Sequence, residues 1–132
     1  MNHATTLAYF VLVVLLVQYT FLGALVAHAR VALGVPAPAT QGPPRFERLM
    51  RVHLNTQERL VLMLPLMVLA AQLGQPEVAA AAGAVFAIGR HLYWRGYVSD
   101  PARRGVGNVV TMLAVAACLV ATLVGLARGW LG

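Results

Sequence analysis

The run TTLAYFVLVVLLVQYTFLGALVA, residues 5–27, carries no charge and is long enough to cross a hydrocarbon core ~30 Å thick. It is also too long for a signal-peptide core, and Met1 to Thr6 holds no Lys or Arg, so it reads as a retained first span. His28 and Arg30 mark its exit, giving a span over residues 5–33. Pro36, Pro38, Gly42, Pro43 and Pro44 then break the helix. A second span over 45–73 is polar and amphipathic to Arg59 and apolar beyond, with Pro65 inside it as a point of kinking. Gly74, Gln75 and Pro76 make a tight turn into a third span over 77–97. Its residues Ala79 to Ala82, Gly83, Ala84 and Ala87 offer a small-residue surface for close packing. Asp100 and Pro101 form a cap and first helical position for a fourth span over 102–128. The expectation is an all-α membrane protein, a single domain over 1–132 folded as a four-transmembrane-helix up-down bundle.

Composition agrees. The 132 residues are 60% hydrophobic and 11% charged, less than half the charge that a soluble domain carries on its surface. All ten basic residues are arginine, which together with the Ala, Val, Leu and Gly content suggests a GC-rich, bacterial source. The net charge of +6 does not read as a nucleic-acid patch, because the arginines sit between apolar runs. Cys118 is alone within the last span and reads as packing. His3, His28, His53 and His91 are dispersed, so no metal site is expected. Gln18 and Tyr19 read as interhelical hydrogen-bonding groups.

Chemistry concentrates at the polar ends of the spans. Arg48, Arg51, Asn55 and Glu58 share one helix face at 100° per residue. By the same rule Arg90, Tyr93, Trp94 and Tyr97 cluster on span three, with Arg90 and Arg95 near the membrane interface. Spacing alone favours a solvated amphipathic helix for the first face and interfacial anchoring for the second. Arg103 and Arg104 fall in the first turn of span four, where the helix dipole disfavours cations. Such local violations are more frequent at functional sites. Together the clusters would form a pocket suited to a small dianionic zwitterion.

The pattern Phe46-Glu47-Arg48…Arg51-x-His53-x-Asn55-x-x-Glu58, then Arg90-x-x-Tyr93-x-x-x-Tyr97…Arg104, resembles the MAPEG family along essentially the whole chain. These are membrane-associated proteins in eicosanoid and glutathione metabolism. The resemblance implies a glutathione-dependent transferase or peroxidase, with glutathione as co-substrate and a lipophilic electrophile arriving from membrane lipid. It implies that Arg51 and Arg30 hold carboxylates, Glu58 faces the ammonium, Asn55 bonds the peptide, and Tyr93 and Tyr97 line the thiol end. Arg104 is the implied catalytic group, stabilising the thiolate, with Arg103 as its runner-up. Arg48, His53, Arg59 and Arg90 are further candidates. The family forms homotrimers, and Arg30 would come from the adjacent chain. Two departures stand out: Arg59 replaces a tyrosine found in some relatives, and Gly105 replaces the hydroxyl residue of the prostaglandin-forming branch.

Two other classes compete. A small four-span transporter usually needs a carboxylate within the membrane, and here Glu58 and Glu77 lie at span ends. A non-catalytic lipid- or partner-binding relative is the other. Arginine asymmetry places both polar loops in the cytoplasm and both termini outside a bacterial inner membrane. With cysteines at Gln41 or Gly129 in a Cys118→Ser background, a membrane-impermeant reagent on intact cells should label only position 129. Labelling of position 41 would reverse the orientation.

Overall fold

A computed structural model describes residues 1–132, and it is all-helical. Four long helices follow one another: α1 (His3–Ala32), α2 (Pro44–Gln72), α3 (Pro76–Ser99) and α4 (Gly105–Leu131), with a 3₁₀ turn at Pro101–Arg104. Local chemistry sets their ends. Asn2 Oδ1 accepts from the Thr5 amide at 2.8 Å and caps α1. Prolines open α2, α3 and the 3₁₀ turn, where a missing N–H costs no helical bond.

Glycines in the left-handed region close α1 and α2. Gly34 has φ 65° and Gly74 φ 81°. The amides just beyond them reach back to Arg30 O at 3.0 Å and Ala70 O at 2.8 Å. This six-to-one bond is the Schellman arrangement, which satisfies a terminal carbonyl as the chain turns.

The helices form an up-down bundle in which α3 packs along α1, α2 and α4. The main core joins Leu15, Met63, Met67, Phe86 and Cys118, all but closed to solvent. Outward faces remain apolar: Phe10, Val17, Val61 and Leu113 are each more than 60% exposed. A soluble surface would not tolerate so continuous a set, whereas lipid tails do. α1 and the segment Pro101–Leu131 are apolar and long enough to span on their own. The chain is therefore an all-α membrane bundle. Gln18 Nε2 donates to Ala87 O at 2.9 Å and ties α1 to α3; Tyr19 OH donates to Gln57 Oε1 at 3.3 Å and ties α1 to α2.

The α3–α4 seam is the tightest contact. A Cβ placed on Gly89 would lie 2.7 Å from the Thr111 amide nitrogen, and one on Gly107 would fall on the Tyr93 backbone. Both sites work because hydrogen replaces a methyl group, letting two backbones meet. The seam fixes the height of Tyr93 relative to the start of α4.

One expectation is corrected. Arg103 and Arg104 do not occupy the first turn of α4; they belong to the preceding 3₁₀ turn, and Arg104 is the N-cap of α4. Asp100 Oδ1 accepts from Ala102 N at 3.0 Å, which starts the tighter turn. Gly96 holds it against α3, since a Cβ there would sit 2.6 Å from the Arg103 carbonyl oxygen.

Gly107→Val should destabilise the bundle by about 1–3 kcal/mol or more, the cost of overpacking a close seam. Gly129→Val, where nothing lies within 4 Å, should be neutral. Thermal unfolding of both variants in detergent measures the difference.

Candidate functional site

The α1–α2 and α3–α4 connections lie at one end of the bundle, where α2 begins and α3 ends. Arg48 bridges them, donating from Nη1 to Val98 O at 3.1 Å and Ser99 O at 3.3 Å. Beside this bridge lies a cavity of about 470 Å³, within the range of small-molecule sites. Arg48, Arg51, Met50, Leu54 and Tyr97 are among the residues lining it. Arg51 is exposed and finds no acceptor within the chain, so its five donors remain available to an anion.

One turn deeper is a polar relay. Arg90 Nη2 donates to Asn55 Oδ1 at 3.0 Å, and Asn55 Nδ2 donates to Glu58 Oε2 at 3.2 Å. Arg90 Nε donates to Thr56 Oγ1 at 3.2 Å, while the Thr56 hydroxyl donates to Val52 O at 2.7 Å. Arg90 thus orients the Asn55 amide so that its N–H side faces Glu58. The Arg90 guanidinium lies over the Tyr93 ring, 4.2 Å from its centroid. Tyr93 stacks on Tyr97 at 5.6 Å with an interplanar angle of 12°. Asn55, Glu58, Arg90, Tyr93 and Tyr97 therefore form one connected group, and Arg51 lines the cavity together with Tyr97.

Two readings of α3 are corrected here. Arg90 is not an interfacial anchor: it is fully buried, at 0% exposure. It continues the inward stripe of Ala79, Ala82, Phe86 and Tyr93, and the α2 acceptors Asn55 and Thr56 make that position tolerable for a cation. Trp94 does not join Arg90, Tyr93 and Tyr97; it turns to α1, meeting the Phe21 ring edge-on at 5.6 Å.

Other candidates lie apart from this group. Arg30 donates from Nη1 to Ala39 O at 2.8 Å and sits 4.8 Å from the Phe46 ring, so it braces its own loop. His53 stacks on Tyr19 at 4.5 Å between α1 and α2. Arg59 reaches Asn108 Oδ1 at 3.5 Å. Arg103 is exposed, and Arg104 makes a long 3.4 Å contact from Nη1 to Pro101 O. Sequence reasoning missed Thr56 and Asn108. Thr56 lies one residue after Asn55, on the buried side of α2, and only the apolar stripe Val52, Leu60 and Met63 marks that side.

A membrane interior penalises a charged group heavily, and such groups usually mark function. Nη1 of Arg90 and Nε of Arg59 are buried without a hydrogen-bond partner. Buried donors left without partners are rare and require a specific reason.

The chain is similar to known proteins along most of its length. The MAPEG family model matches residues 7–124. The chain is 40% identical over 101 residues to an uncharacterized protein of Synechocystis sp., covering 76% of this chain and 74% of that one. It is 35% identical over 100 residues to leukotriene C4 synthase of Bos taurus, covering 70% and 67%. It is 32% identical over 108 residues to microsomal glutathione S-transferase 2 of Homo sapiens, covering 82% and 71%.

Thr56→Val keeps the volume but removes an acceptor from a buried guanidinium. It should cost about 1–3 kcal/mol, the penalty of an unsatisfied buried donor. Thermal unfolding in detergent that matches the unsubstituted protein would show that Arg90 is anchored elsewhere. The chain belongs to the MAPEG family.

Proposed function

We propose that this protein is a glutathione-dependent membrane transferase that activates the glutathione thiol for attack on a lipophilic electrophile. One observation carries the reading: a buried arginine orients an amide and a carboxylate beside an arginine- and tyrosine-lined cavity at one end of a membrane bundle. The human relative's name, a glutathione S-transferase, supports the ligand.

Glutathione carries two carboxylates, an ammonium, two peptide groups and a thiol. Arg51 offers a guanidinium fork to one carboxylate, the geometry in which charge-assisted bonds are strongest. Glu58 faces the ammonium and Asn55 the peptide, both already oriented by Arg90. Tyr93 and Tyr97 line the thiol end. Arg30 takes the second carboxylate from a neighbouring copy in a homotrimer, through donors other than the Nη1 that braces its own loop.

Arg104 is assigned to the sulfur. A free thiol has a pKa near 8.5, so only a few per cent is ionised at neutral pH. A guanidinium at the N-cap of α4, together with the positive end of that helix, favours the thiolate. Arginine does not itself deprotonate, so the proton leaves to solvent. The thiolate then forms a carbon–sulfur bond with the electrophile as its leaving group departs. The polar loops face the cytoplasm of a bacterial inner membrane in this reading.

Calorimetry of detergent-solubilised protein with glutathione tests the site. Arg51→Ala should weaken binding by about 10- to 150-fold, from loss of a charge-assisted bond. Arg104→Ala should retain binding while reducing the ultraviolet thiolate absorbance and slowing conjugation of an aryl halide by about tenfold per pKa unit lost. No heat with millimolar glutathione would overturn the ligand. Full rate and full thiolate signal in Arg104→Ala would overturn the mechanism.

A further inference from the structure

A second cavity, of about 370 Å³, lies on the other side of the Arg48 bridge, among α1, α2 and α3. Its walls are apolar, with Leu25 and Ala29 from α1, Leu49 from α2, and Trp94 and Val98 from α3. Its rim is polar, with the cations Arg45 and Arg95 and the imidazole of His28 lining the cavity, each exposed. Arg45 and Arg95 meet no hydrogen-bond acceptor in the chain. The nearest partner of Arg95 is the Trp94 ring, at 5.9 Å from its centroid. From the rim toward the middle of the bundle, Phe21 extends the wall from its edge contact with Trp94. Phe21, Val17 and Ile88 stay exposed there, on faces that would meet lipid tails.

This arrangement selects its occupant. An apolar cavity does not hold water well, and exposed cations without acceptors in the chain keep their donors available to an anion. An anionic head on an apolar chain satisfies both: the head among the guanidinium groups, the chain against Leu25, Leu49 and Trp94. Three further points favour a lipid. The cavity lies at the polar end of the membrane-spanning helices. Its walls continue into a lipid-facing surface. Basic pockets between such helices are recurrent sites for acidic headgroups.

We propose that this cleft is a binding site for an acidic phospholipid, with the phosphate held by Arg45 and Arg95 and one acyl chain lying against Trp94. The site is separate from the proposed glutathione cavity. Arg48, on Val98 O and Ser99 O, forms the partition, and Arg45 and Leu49 face one side while Arg48 and Arg51 face the other.

Trp94 is a built-in reporter, because the chain has only one other tryptophan, the exposed Trp130. A Trp130→Phe variant in neutral detergent would be titrated with phosphatidylglycerol and with phosphatidylcholine of identical acyl chains. Saturable change in Trp94 emission is expected with phosphatidylglycerol, at least about tenfold weaker with phosphatidylcholine. Adding Arg45→Gln and Arg95→Gln, both at exposed positions, should weaken the phosphatidylglycerol response by about tenfold or more. The heat of glutathione binding should remain that of the parent. Equal responses to the two lipids, or an unaltered response in the double variant, would overturn the proposal. A response to inorganic phosphate or to oleate that matches phosphatidylglycerol would overturn it too, assigning the cleft to a free anion or a fatty acid.

Discussion

A guanidinium closed to solvent inside a membrane bundle is the constraint on which the rest of this structure turns. Arg90 has no exposed surface and no carboxylate in direct contact. It is held by the Thr56 hydroxyl, the Asn55 amide and the face of Tyr93. Each partner must be placed with hydrogen-bond accuracy, since a buried cation without partners would cost several kcal/mol. That requirement locks α2 to α3 in rotation and in height. It also determines which way Asn55 faces, and through it the orientation of Glu58.

The close α3–α4 seam serves the same geometry from the other side. Gly89 and Gly107 let the two backbones meet beside Tyr93, one turn from Arg90. Gly96 lets the 3₁₀ turn fold against α3, which carries Arg104 to the N-cap of α4. Residues without side chains thus position residues whose side chains carry charge. Apolar packing between helices in lipid has little hydrophobic drive, so close approach and polar contacts carry more of the specificity.

The polar end of the bundle uses arginine in three ways. Arg30 and Arg48 brace the fold, each placing Nη1 on loop or helix-end carbonyls. Arg90 is an internal support. Arg45, Arg51 and Arg95 have no acceptor in the chain and line two cavities on opposite sides of the Arg48 bridge. The charge of this basic protein is therefore divided between groups with acceptors in the chain and groups without them.

What the sequence by itself determined is the all-helical membrane class and the identity of the polar face Arg48, Arg51, Asn55 and Glu58. Those follow from uncharged run length, from Pro and Gly punctuation, and from the 100° turn, all of which are local. The family resemblance added roles to those residues from motif spacing. The tertiary structure decided which arginine lies inside, since charge suggested an interfacial Arg90 while the periodic stripe of α3 and acceptors 34 and 35 residues away on α2 drew it inward. It likewise turned Trp94 from Tyr93 to Phe21, because adjacent residues on a helix diverge by about 100° and their neighbours belong to different helices. It replaced the first turn of α4 with a 3₁₀ turn, through a backbone contact at Gly96 that no local pattern encodes. Burial and pairing depend on residues distant in the chain, so only the packed bundle could specify them.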